Sequence, residues 1–66
     1  MEPAFRVLTY RDGQHIITET LATEHAAWAR FESAVEMCRT RDDAHAHRVE
    51  LYEGPNMLDG WSATTT

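Results

Sequence analysis

Histidine, cysteine and carboxylate side chains are the residues that could bind a metal, and the sequence contains four histidines and one cysteine. Asp43, His45 and His47 alternate along the chain, so an extended segment would point them to the same side. Imidazole and carboxylate are ordinary zinc ligands, and Cys38 or water could supply a fourth. The spacing, however, matches no typical structural zinc site. We expect surface histidines that lead into a strand, with no metal and no cofactor, and keep a small metal-binding protein as a third hypothesis.

The residue types needed for covalent or acid-base catalysis are present but poorly placed. Cys38 falls on the apolar stripe of a predicted helix with Phe31 and Val35, where a thiol is usually inert packing. A catalytic cysteine needs an accessible, electropositive place and an oriented base. Acid-base work needs two carboxyl groups in a cleft with pKa values pushed apart. A chain of 66 residues with one helix rarely encloses such a cleft, so we predict that it is not an enzyme.

Charge favours a protein partner. Eleven acidic residues stand against six arginines and no lysine, for a net charge of −5. A negative domain repels the phosphate backbone, so we expect no direct nucleic-acid binding. A basic protein surface is easier to recruit. The densest local set of acids is Asp42 and Asp43 beside the third predicted strand, with Glu50 and Glu53 within that strand.

Aromatic side chains offer a second kind of contact. Trp28 and Phe31 lie at helical spacing and are expected in the core, which is also the more common place for Trp61. Tyr10 and Tyr52 fall on strands, and aromatic rings with a polar group are enriched at interface hot spots. The predicted partner-binding residues are therefore Asp42, Asp43, Glu50, Glu53, Tyr10 and Tyr52.

The first half of the chain predicts a hairpin and a helix. A strand from Phe5 to Tyr10 is followed by Asp12-Gly13, the residue pair that a type I′ turn prefers. A second strand covers 14–21. Thr23 is a suitable N-cap for a helix that ends near Thr40, with one apolar stripe. That stripe contains Ala27, Trp28, Phe31, Ala34, Val35 and Cys38.

The second half predicts another hairpin. The segment 47–53 alternates cleanly as a third strand, Gly54-Pro55-Asn56 is a turn, and a fourth strand runs from Met57 to about Ala63. Gly60 weakens the fourth strand, and the tail 64–66 is expected to fray. We predict one α+β domain over 1–66, with ββαββ order and one amphipathic helix packed on one face of an antiparallel sheet.

One helix cannot cover both faces of such a sheet, and the strands carry apolar residues at both parities. Leu8 and Tyr10 alternate with Phe5 and Val7, so one of these sets must face away from the helix. An exposed, partly aromatic sheet face indicates an interface, either with a second copy or with another protein.

Size and cysteine content add expectations about assembly and compartment. A domain this small is marginally stable, and one cysteine allows no internal disulfide, so self-association, for example as a homodimer, is a fair expectation. The single thiol favours a reducing compartment. We see no signal peptide and no apolar run long enough to span a bilayer, which predicts a cytoplasmic protein without a membrane partner.

In length, acidity and layout the chain resembles small proteins encoded by phages and mobile elements, anti-CRISPR proteins among them. The resemblance rests on Asp12-Gly13 in a first hairpin, one helix and a strand over 49–52, and it carries no functional residue. Proteins of that class act by stoichiometric binding, and some occupy the nucleic-acid groove of a CRISPR effector complex. Our leading hypothesis is therefore a non-enzymatic inhibitor that docks on a basic surface, and the alternative is a structural homo-oligomer that uses the open sheet face.

Overall fold

The computed structural model describes residues 4–62, which form four strands and one long helix. In chain order these are β1 (Phe5–Arg11), β2 (Gln14–Leu21), α1 (Glu24–Arg39), β3 (His47–Glu53) and β4 (Asn56–Ser62), with a short 3-10 turn (Ala44–Ala46) before β3. The predicted α+β fold with ββαββ order is confirmed. The predicted frayed tail 64–66 lies outside the described residues.

The local signals that start and end these elements are those the sequence predicts. The Thr23 hydroxyl accepts a hydrogen bond from the Ala26 N–H at 3.2 Å, so it caps α1 as expected. Asp12 and Gly13 have φ angles of 54° and 80°. Both values are positive, as a type I′ hairpin turn requires, and the aspartate and glycine tolerate them.

The sheet is antiparallel throughout, with strand order β2-β1-β3-β4. The helix connects the outer strand β2 to the inner strand β3, so β1 and β3 become neighbours. Their register places Phe5 opposite Glu53 and Arg11 opposite His47. The two central strands therefore belong to different hairpins.

The core lies between α1 and the two central strands. Val7, Val49 and Leu51 are almost completely buried, and α1 contributes Ala27 and Phe31 from the opposite side. The predicted place of Phe31 is confirmed, while Trp28 and Trp61 are half-buried at the margin of this core. Because α1 packs mainly on β1 and β3, it leaves parts of β2 and β4 exposed. No helix within residues 4–62 is long and apolar enough to cross a bilayer.

Candidate functional site

The sheet surface that faces away from α1, called the open face below, is formed at its centre by alternate residues of the two inner strands. Phe5, Val7 and Thr9 of β1 are buried on the helix side, and side chains alternate along a strand. The residues between them must therefore point outward. The central residues of the open face are Arg6, Leu8 and Tyr10 from β1, with Arg48, Glu50 and Tyr52 from β3.

Each tyrosine of the open face packs against an arginine of the neighbouring strand. Arg48 lies directly opposite Tyr10 in the register, and Arg6 lies opposite Tyr52. The guanidinium carbons are 4.2 Å from the Tyr10 ring centre and 5.5 Å from the Tyr52 ring centre. Both distances are within the range of cation–π attraction. The rings are thus restrained before any partner arrives, which lowers the entropy cost of binding.

Glu50 lies between these two pairs and links them. Its carboxylate accepts a hydrogen bond from the Tyr52 hydroxyl at 3.1 Å and contacts Arg48 Nε at 3.0 Å. Only 12% of the Glu50 side chain is exposed. The hydrogen bond to Glu50, together with partial desolvation, raises the pKa of Tyr52 above its ordinary value. The Tyr52 hydroxyl is protonated at neutral pH, as phenols generally are, and donates to Glu50.

Asp43 lies in the connection between α1 and β3 and forms ion pairs there. Its carboxylate contacts Arg41 Nε at 3.2 Å, Arg11 Nε at 3.5 Å and His47 Nδ1 at 3.7 Å. Desolvation alone would raise the pKa of Asp43, but hydrogen bonds from Arg41 and the local backbone, and the charges of His47 and Arg41, hold that pKa below its usual value. This carboxylate already has cationic neighbours within the chain.

The structure brings three of the six predicted partner-binding residues together and separates the others. Tyr10, Glu50 and Tyr52 share the open face. Asp42 and Asp43 precede β3, whereas Glu53 ends it, roughly 20 Å further along at the usual strand rise. The predicted acids do not form one continuous patch.

Sequence reasoning missed Arg6 and Arg48. Neither arginine is among the six predicted partner-binding residues. Their role depends on the register between β1 and β3. Those strands are separated by a hairpin and a helix, so no local sequence signal could show that each arginine lies opposite a tyrosine.

The residues considered for a metal or a nucleophile are also placed by the structure. The segment Ala44–Ala46 is a 3-10 turn, so the extended arrangement that would align Asp43, His45 and His47 does not form. The expected surface position is correct for His45 but wrong for His47, which is buried with Nδ1 3.0 Å from the Asp43 carbonyl oxygen. Within residues 4–62, no three histidine, cysteine or carboxylate side chains are grouped to hold a metal ion. Burial raises the pKa of the Cys38 thiol, which disfavours the nucleophilic thiolate.

Comparison with known proteins gives no relative from which a role could be transferred. No family model, curated protein or solved structure matches this chain. The function is therefore inferred from the chemistry and geometry of the open face.

Proposed function

We propose that this chain is a non-enzymatic protein-binding module that docks its open face on a partner protein with a basic surface. The observation that carries the proposal is the pair of arginine-backed tyrosines on the central strands, joined through Glu50. Tyrosine and arginine are the residue types that dominate interface hot spots. Here they are half-exposed, restrained by one another and supported by a packed core on the other side of the sheet.

Charge supports a basic protein as the partner. The net charge of −5 acts at long range and steers the domain towards positive surfaces. The open face itself carries Arg6 and Arg48 beside the paired Glu50, so the attraction to a basic partner comes from the acidic residues outside that face. In this division of roles, net charge sets encounter rate and orientation, while Tyr10 and Tyr52 supply contact energy.

The finer form of the proposal names the class of target. A partner whose natural ligand is a nucleic acid must carry a basic groove, and an acidic domain that binds there would act as an inhibitor. The size and acidity of the chain, which resemble those of anti-CRISPR proteins, favour a CRISPR effector complex as that target. The free thiol of Cys38 fits action in a reducing cytoplasm.

A pull-down followed by competition tests the proposal. The tagged protein is exposed to bacterial lysate that contains CRISPR effectors and washed at low and at high salt. The retained effector is then purified and titrated with this protein in the presence and absence of its nucleic acid. We expect stoichiometric binding of this protein to the effector. Salt should weaken that binding, and the nucleic acid should compete with it. A Tyr10→Ala, Tyr52→Ala double variant should bind at least about tenfold more weakly.

The matched control is His25→Ala, a change of an exposed ring on α1, which should bind like the parent. Equal binding by the double tyrosine variant and the parent would overturn the open face as the docking site. Binding that the nucleic acid does not compete with would overturn the inhibitor mechanism while leaving the binding module in place.

A further inference from the structure

Of the five large apolar side chains that are exposed within residues 4–62, four lie on the two outer strands. Ile16 and Ile17 of β2 are each 49% exposed, and Met57 and Leu58 of β4 are 50% and 37% exposed. Met37, 65% exposed, lines the groove between α1 and β2. Single exposed apolar residues are common on any protein. Their concentration on both outer strands of the sheet that residues 4–62 form is typical of a contact surface.

The two sides of α1 differ in charge. The groove between α1 and β2, called the β2 groove, has a volume of about 350 Å³, and its charged lining is Arg11, Arg30, Arg41 and Glu19. The groove between α1 and β4, called the β4 groove, has a volume of about 310 Å³ and places Glu32, Glu36 and Asp59 around Phe31, Val35 and Trp61. Much of this charge is paired within the chain. In the β2 groove Arg30 contacts Glu19, and both Arg11 and Arg41 contact Asp43, while Glu36 of the β4 groove contacts Arg39. With these partners counted, three arginines against two carboxylates leave the β2 groove weakly positive, and three carboxylates against one arginine leave the β4 groove negative.

Strand direction allows the two edges to meet. In this sheet β4 runs parallel to β1, while β2 runs antiparallel to β1. A second copy translated across the sheet would place its β2 antiparallel to β4 of the first, with both helices on one side. Bulges interrupt each outer strand at Ile16 and Leu58, where the pairing registers shift. Beyond these bulges the strands are regular over residues 17–21 of β2 and 59–61 of β4.

We propose that copies of this chain associate head to tail, with the β4 edge and acidic β4 groove of one copy against the β2 edge and basic β2 groove of the next. Charge selects this arrangement over a two-fold dimer. Pairing β2 with β2 brings arginines against arginines, and pairing β4 with β4 brings carboxylates against carboxylates, both of which are disfavoured. A heterologous contact of this kind extends into a ring or a filament. It leaves the open face of every copy available to a partner.

Two charge-reversed variants test the contact by sedimentation velocity. Variant A carries Glu32→Arg and Asp59→Arg, which makes both grooves basic, and variant B carries Arg11→Glu and Arg30→Glu, which makes both acidic. We expect the parent to self-associate as concentration rises at low salt, and each variant alone to do so at least roughly tenfold more weakly. An equimolar mixture of A and B should associate again, because the basic grooves of variant A can then meet the acidic grooves of variant B.

The control for variant A is Asp42→Arg with Glu53→Arg, the same change of net charge away from both grooves, which should sediment like the parent. If circular dichroism shows that a reversed variant does not fold, Ile17→Lys and Leu58→Lys separately block the two exposed edges and should each give monomers. A parent that stays monomeric at high micromolar concentration and low salt would overturn the proposal. The proposal would also be overturned if variant A and variant B each associated as strongly as the parent. The same conclusion would follow if association were lost only in the Tyr10→Ala, Tyr52→Ala double variant.

Discussion

At the scale of single residues, the hydrogen bond between Tyr52 and Glu50 makes a specific prediction about titration. The Glu50 carboxylate stabilises the protonated phenol and repels the phenolate, which is why the pKa of Tyr52 is raised. Glu50→Gln removes the charge but keeps an oxygen acceptor. We expect the pKa of Tyr52 to fall towards its ordinary value, as measured by ultraviolet absorbance of the phenolate during alkaline titration.

Tyr10 is the other phenol in the sequence, and its ring packs on Arg48 and His15. Tyr10→Phe leaves Tyr52 as the only tyrosine in the sequence, so the change can be assigned to one group. A Tyr52 titration that Glu50→Gln leaves unmoved would contradict the proposed network. It would also weaken the view that Tyr52 is restrained before binding.

At the scale of elements, Asp43 joins the connection after α1 to β1 and β3, through Arg41, Arg11 and His47 respectively. Its pKa is lowered in the folded chain, so its contribution to stability is present above the unfolded carboxyl pKa of about 4 and is lost as pH falls through the folded value. Asp43→Asn should therefore lower Tm at neutral pH, and the difference from the parent should shrink under acid conditions.

The neighbouring exposed carboxylate gives the matched comparison for Asp43. Asp42→Asn removes the same charge from the same connection and should leave Tm close to that of the parent across the pH range. A constant Tm difference between Asp43→Asn and the parent from neutral to acid pH would show that the lost interaction does not depend on ionisation.

The elements also show which parts of the molecule the sequence could predict. The turn at Asp12-Gly13 and the helix cap at Thr23 could be predicted because each depends only on local sequence, where one residue type meets one backbone requirement. The alternation along β1 that places Leu8 and Tyr10 outside the core also depends only on local sequence. The strand order and the β1–β3 register arise from packing across the whole chain. That is why sequence reasoning found Tyr10 and Tyr52 but overlooked Arg6 and Arg48.

At the scale of the whole molecule, stability depends on a small core with little reserve. Leu51 is completely buried between α1 and the central strands, and Leu→Ala changes at such sites cost about 2–5 kcal/mol. Small domains have a total unfolding free energy of only about 5–15 kcal/mol, and a chain of this length belongs at the low end. We expect Leu51→Ala to lower the unfolding free energy by about 2–5 kcal/mol, measured by chemical denaturation monitored by circular dichroism.

Leu58→Ala removes the same side-chain atoms from a β4 residue that is 37% exposed. At a concentration where the parent is monomeric, it should cost about 1 kcal/mol, less than the change at Leu51, because the side chain is already partly in water and its removal leaves no closed cavity. At higher concentration its Tm should fall further below that of the parent if copies pair through the β4 edge, since association of the folded state raises apparent stability by mass action. Equal losses for Leu51→Ala and Leu58→Ala in the monomer would contradict a core confined to the central strands. The contrast between the two leucines therefore separates the contribution of the monomer's core from that of contacts between copies.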